Sequence, residues 1–141
     1  MKAQLIERED EHHWVLLDHR VTRLLIDAGS FGLQTWSLDA SAEIRLGVPF
    51  TLRTAAGAER TIDPAETEML GPALGLLRRE LRALTVTRAG VLTIEFGDGT
   101  TIISRPHRRL EAWHVQGAGV LEGMSYLCAI GGGSPWAEPA R

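Results

Sequence analysis

Apolar and polar residues alternate along much of this chain, most regularly between Ile44 and Arg53. Ile44, Leu46, Val48, Phe50 and Leu52 interleave with Arg45, Gly47, Pro49, Thr51 and Arg53. A repeat of two buries one face of a strand and wets the other. Pro49 has no N–H to give a ladder, so this strand is expected at a sheet edge or bulged at that point. Val21–Asp27 and Phe31–Leu38 read as strands on either side of the turn Ala28-Gly-Ser30, with Trp36 and Leu38 assigned to one face. Leu92, Ile94 and Phe96 alternate with Thr93 and Glu95. Gly97-Asp98-Gly99 then predicts a hairpin with a two-residue Asp-Gly loop, returning along 100–104. The last strands are expected over 111–116 and 120–130, joined by Gly117-Ala-Gly119.

The periodicity changes at Asp63. Asp63-Pro64-Ala65-Glu66 carries a helix start: an N-cap carboxylate, a proline at the first helical position and a glutamate closing a capping box. Leu70, Leu74, Leu77, Leu81 and Leu84 follow at spacings of four and three, the stripe of an amphipathic helix. Gly71-Pro72 interrupts the stripe, which predicts a short turn over 64–70 and a helix over 72–83, with Arg78, Arg79 and Arg82 toward solvent.

These elements predict an α+β fold, mostly antiparallel β, in which two β-meander halves are linked by a helical segment at about 64–83. Val21-Thr-Arg23 recurs as Val86-Thr-Arg88, and Phe96-Gly-Asp-Gly-Thr-Thr-Ile102 lies over Leu38-Asp-Ala-Ser-Ala-Glu-Ile44, which raises an internal duplication. The domain expectation is a polar arm over 1–13, one β-rich domain over 14–130 and a Gly/Pro-rich tail over 131–141. If 44–53 is an edge, a second copy covering it would make a homodimer.

Composition narrows the function classes. The chain has 141 residues and a net charge of −3, with the acidic excess in the first half. That balance speaks against binding nucleic acid by phosphate neutralisation. The N-terminus lacks the apolar run of a signal peptide and no stretch is long enough to cross a bilayer, so a cytoplasmic protein without membrane contact is expected. The single cysteine, Cys128, lies in an apolar stretch and reads as a buried small hydrophobe.

Candidate chemistry is sparse. The five histidines lack the spacing of a metal site, no glycine-rich loop opens a helix, and the serines have no nucleophile-elbow context. No catalytic residue, cofactor or metal is assigned, and enzymatic activity is left open with a lean against it. Trp36 and Trp113 fall in strand patterns and are expected in the core or half-buried at its margin. Trp14 and Trp136 lie at the ends and are candidates for docking or partner contact. Arg105, Arg108 and Arg109 form a basic loop that could meet an acidic partner.

Val-Thr-Arg opening a strand, Pro49-Phe-Thr-Leu-Arg53, Phe96-Gly-Asp-Gly-Thr100 and Glu111-Ala-Trp113 before a Gly-rich segment together resemble a family of small bacterial proteins of unknown function, over residues 18–136. The first half lacks the Asp-Gly-Thr turn of that pattern. The resemblance implies no activity, cofactor or site residue; proteins of this size and composition include immunity proteins that neutralise bacterial toxins. The expected function is a protein-interaction module, with immunity-type binding as one form. The other reading is a small-ligand-binding protein or enzyme with a pocket between helix and sheet.

Overall fold

The computed structural model describes residues 3–37, 40–119 and 125–136. Among these, eleven strands form one antiparallel sheet: β1 (Ala3–Glu7), β2 (Glu11–Asp27), β3 (Ser30–Trp36), β4 (Ala40–Leu46), β5 (Phe50–Arg53), β6 (Glu59–Ile62), β7 (Glu80–Thr87), β8 (Leu92–Phe96), β9 (Thr101–Ser104), β10 (Trp113–Gly119) and β11 (Ser125–Cys128). Their order across the sheet is β11-β10-β4-β3-β2-β7-β8-β9-β5-β6, with β1 added beside β2. The expected strands over 21–27, 92–96 and 100–104 are present, the last from Thr101.

The order has an internal symmetry. Advancing each of β2–β6 by five converts it into β7–β11 and maps the sheet onto itself, reversed. In each half a three-stranded meander is completed by a hairpin from the other half: β5-β6 pairs onto β9, and β10-β11 pairs onto β4. The two Val-Thr-Arg triplets are not equivalent in this frame. Val21 lies within β2, whereas Val86 sits at the end of β7 just before its turn. The matching positions are Ala28-Gly29 and Ala89-Gly90, each at the tip of its hairpin.

Period-two alternation builds the interior. Phe31 and Leu33, Ile44 and Leu46, Phe50 and Leu52, Leu92 with Ile94 and Phe96, and Trp113 with Val115 all point into one continuous apolar core. Phe31 and Phe50 stack across it with centroids 6.0 Å apart.

The pattern at 44–53 belongs to two strands. The chain leaves the first meander at Gly47, with Val48 still buried, and joins the second at Phe50. Pro49 is exposed in the crossing, where no ladder needs its N–H. Neither strand is an edge: β4 lies between β3 and β10, and β5 between β9 and β6. The homodimer expectation therefore loses the edge it rested on.

The helix expected over 72–83 is not formed. Residues Thr67–Leu70 make a 3-10 turn, α1 spans only Gly71–Leu74, and strand β7 begins at Glu80. Here the buried row is Leu70, Ala73 and Leu76, at the spacing of three that suits 3-10 geometry, while Leu74 and Leu77 are exposed. Leu81 and Leu84 face the core from β7. A register shift between Leu81 and Ala83 brings two residues three apart to the same face, which imitates a helical spacing. Asp63 caps a turn instead of a helix, its Oδ1 accepting from the backbone N–H of Ala65 at 3.0 Å.

The expected arm is built into the sheet from residue 3 onward, since Ala3–Glu7 pairs with His12–Leu16. The Asp-Gly hairpin exists, but with a three-residue loop. Phe96 N–H donates to Thr100 O, Gly99 N–H donates to Phe96 O, and only Gly99 takes a positive φ, of 92°. The same closure recurs at Ala55-Ala56-Gly57 and Arg88-Ala89-Gly90. The strand expected over 120–130 is seen as Ser125–Cys128; residues 120–124 lie outside the described residues, as do Leu38 and the tail beyond 136.

Candidate binding face

The outward side chains of β3, β4 and β10 stand in cross-strand rungs. One rung joins Gln34, Glu43 and Gln116, and the next joins Trp36, Ser41 and Ala118. Because β3 sends Phe31, Leu33 and Thr35 inward, Trp36 points outward with 58% of its surface exposed, contrary to its expected place in the core or at its margin. It borders an open groove of about 450 Å³ that reaches across the glutamine–glutamate rung. Gln34 Nε2 donates to Glu43 Oε1 at 3.1 Å and Gln116 Nε2 donates to Glu43 Oε2 at 3.3 Å. The Arg45 guanidinium is held by Asp27 at 2.9 Å and stands 3.7 Å from Glu43. A second groove of about 410 Å³ lies on the same face, floored by Arg45 and His114 and bordered by Leu127. Neither groove lies where the pocket between helix and sheet was expected.

The terminal tryptophans are taken up by a different arrangement. Trp14 is buried, and its Nε1–H donates to the Tyr126 hydroxyl at 2.9 Å. The same hydroxyl lies 2.8 Å from His12 Nδ1. With one lone pair occupied by Trp14, the Tyr126 O–H satisfies all three groups by donating to Nδ1, which puts the imidazole proton on Nε2. Trp136 is half-buried and stacks on His12 at 3.9 Å, with the Arg88 guanidinium 5.2 Å from its ring. Burial, then the nearby Arg88 charge, keep the His12 pKa below its ordinary value against the opposing pull of Glu7. This cluster fastens the start of β2 to β11 and the segment after it.

Trp113 is buried as expected, its Nε1–H donating to Gly90 O at 2.9 Å. Cys128 is fully buried, and burial raises its thiol pKa. Arg105, Arg108 and Arg109 are exposed on the loop before β10, which is pinned where Arg109 N–H donates to His107 Nδ1 and Gly131 N–H to His107 O. The structure does not bring this loop and the two terminal tryptophans together as one exposed surface, because Trp14 faces inward. No three His, Cys, Asp or Glu side chains converge as metal ligands among the described residues. Among them, too, no helix is long and apolar enough to cross a membrane.

Sequence reasoning missed Trp36, Gln34, Glu43 and Gln116 as a group. Parity with Phe31 and Leu33 could have placed Trp36 outward; nothing in the sequence aligned the three strands.

Residues 14–134 match a family of unknown function, DUF6188. The chain belongs to that family. No curated protein and no solved structure matches it. Membership in DUF6188 brings no activity with it, so the geometry of the outward face carries the functional argument.

Proposed function

We propose that this DUF6188 chain is a non-catalytic protein-binding module that engages its partner through the outward face of β3, β4 and β10. The observation that carries the reading is Trp36. Trp14 and Trp113 are buried and Trp136 is half-buried within its own chain, whereas Trp36 stands exposed beside an open groove floored by an ordered polar rung. Tryptophan is among the residues that carry most binding energy at protein interfaces, and hydrogen-bonded polar groups around it supply orientation. Such a module acts by occupancy, as immunity proteins do when they neutralise a toxin. The exposed arginines Arg105, Arg108 and Arg109 would extend the contact toward acidic groups of the same partner. The symmetry of strand order supports a further proposal, that the two five-stranded units arose by duplication.

The test is affinity capture from native lysate with the wild-type chain and with Trp36→Ala. A stoichiometric partner retained by the first and lost by the second is expected. A partner bound equally by both would remove this face from the proposal.

A further inference from the structure

The outward rung has a chemical polarity that selects its ligand. Each glutamine spends an N–H on Glu43, at 3.1 Å and 3.3 Å. Rotating either amide would set its oxygen against a carboxylate oxygen, so the amide orientation is fixed by Glu43. The carbonyl oxygens of Gln34 and Gln116 are thereby left as acceptors. A carboxylate offers about four lone-pair sites, and two glutamine donors leave some of them open. Ser41 and Thr22 add hydroxyl oxygens along the same groove. Arg45 is shared, held closely by Asp27 at 2.9 Å and only loosely by Glu43 at 3.7 Å, while Arg20 reaches the carbonyl of Arg78 at 3.2 Å. The groove therefore presents a carboxylate, two oriented amide oxygens and hydroxyls next to an exposed indole.

A guanidinium matches that set. It has N–H donors and no acceptor, it stacks flat on aromatic rings, and it pairs with carboxylates through its planar fork. A neutral polyhydroxyl ligand would also find hydrogen-bond partners here, but it would leave the charge of Glu43 unused, which a guanidinium does not. We propose that the groove beside Trp36 receives an arginine side chain of the protein partner, with the guanidinium over the indole and directed at Glu43. This rests on the reading of the outward face as the binding surface.

The experiment is an NMR titration of the 15N-labelled full chain with acetyl-Gly-Arg-Gly-amide, with its citrulline counterpart, and with cellobiose as a neutral polyhydroxyl probe. The arginine peptide should shift the Trp36 indole N–H and the side-chain amides of Gln34 and Gln116. Replacing arginine by citrulline, or Glu43→Gln in the protein, should weaken the effect about tenfold. Trp36→Ala should weaken it about fivefold. The spectra also report whether each variant keeps the native fold. Equal shifts from citrulline, or preference for cellobiose, would refute the guanidinium while leaving the face as a binding surface. If no probe moves Trp36 at millimolar concentration, the guanidinium falls, and the capture comparison with Trp36→Ala decides the surface separately.

Discussion

Replacing Tyr126 by Phe removes one oxygen and leaves the ring. The ring contacts, edge-on to His12 at 5.6 Å and to Trp136 at 6.2 Å, survive the change. What is lost is the hydroxyl that accepts from Trp14 Nε1 at 2.9 Å and reaches His12 Nδ1 at 2.8 Å. The indole N–H of Trp14 is then left without its acceptor in a residue only 8% exposed. An unsatisfied buried donor costs about 1–3 kcal/mol, and the second bond is worth about 1 kcal/mol. His12 recovers part of that by hydration, since its side chain is 14% exposed. The expected loss is about 2–3 kcal/mol, a sizeable part of the roughly 5–15 kcal/mol that holds a domain together. Urea unfolding followed by tryptophan fluorescence measures it, and the midpoint should fall with the slope unchanged. A Trp14→Phe, Tyr126→Phe double-mutant cycle isolates the coupling, expected near 1 kcal/mol. A Tyr126→Phe variant within about 0.5 kcal/mol of wild type would show that the hydroxyl does not join the two ends of the chain.

The remaining predictions use the same assays. His12 has a folded pKa below its unfolded value, so the unfolded chain takes up the proton first; stability should fall as pH drops below about 6.5, and a His12→Gln variant should lose that component of the slope. A slope identical in both proteins would contradict it. Gly90 has a φ of 98°, and an added Cβ would sit 3.0 Å from Pro106 and 3.2 Å from Cys128. Gly90→Ala should therefore cost about 2 kcal/mol or more by thermal unfolding, and a neutral result would mean the turn is built otherwise. The Cys128 thiol should resist an aromatic disulfide reagent at pH 8 until denaturant is added, because it is buried and its pKa is raised. Stoichiometric labelling of the native protein would overturn that.

The strands were legible in the sequence wherever alternation ran unbroken, as at Leu92–Phe96, because a repeat of two determines which side chains share a face. Two things escaped it. Alternation says nothing about which strand lies alongside, so the stretch from Ile44 to Leu52 looked like one strand while its ends serve opposite halves of the sheet. Spacing of three is also ambiguous. Leu81 and Leu84 continued a helical stripe on paper, yet a bulge gives the same spacing in β7. Gly71, Pro72 and Gly75 weakened the helix enough for the strand to begin at Glu80. The candidate face was least legible, since Gln34, Glu43 and Gln116 are distant in sequence and meet only through strand register.

The exchange of hairpins between the halves has a consequence for folding. Without residues 64–141, the first meander loses β10 as the neighbour of β4, and the β5-β6 hairpin loses β9. Phe50 would no longer have the second half to pack into, and an isolated two-stranded hairpin has little stability in water. A fragment of residues 1–63 should therefore not be a folded monomer. It can bury these surfaces only by pairing with a second copy, the fragment's β5 taking the place of β10, or by meeting a fragment of residues 64–141. Circular dichroism and sedimentation of the separate and mixed fragments decide between these outcomes. A monomeric, cooperatively unfolding 1–63 fragment would mean that each half completes its own sheet, and that the exchanged pairing is not what holds the two together.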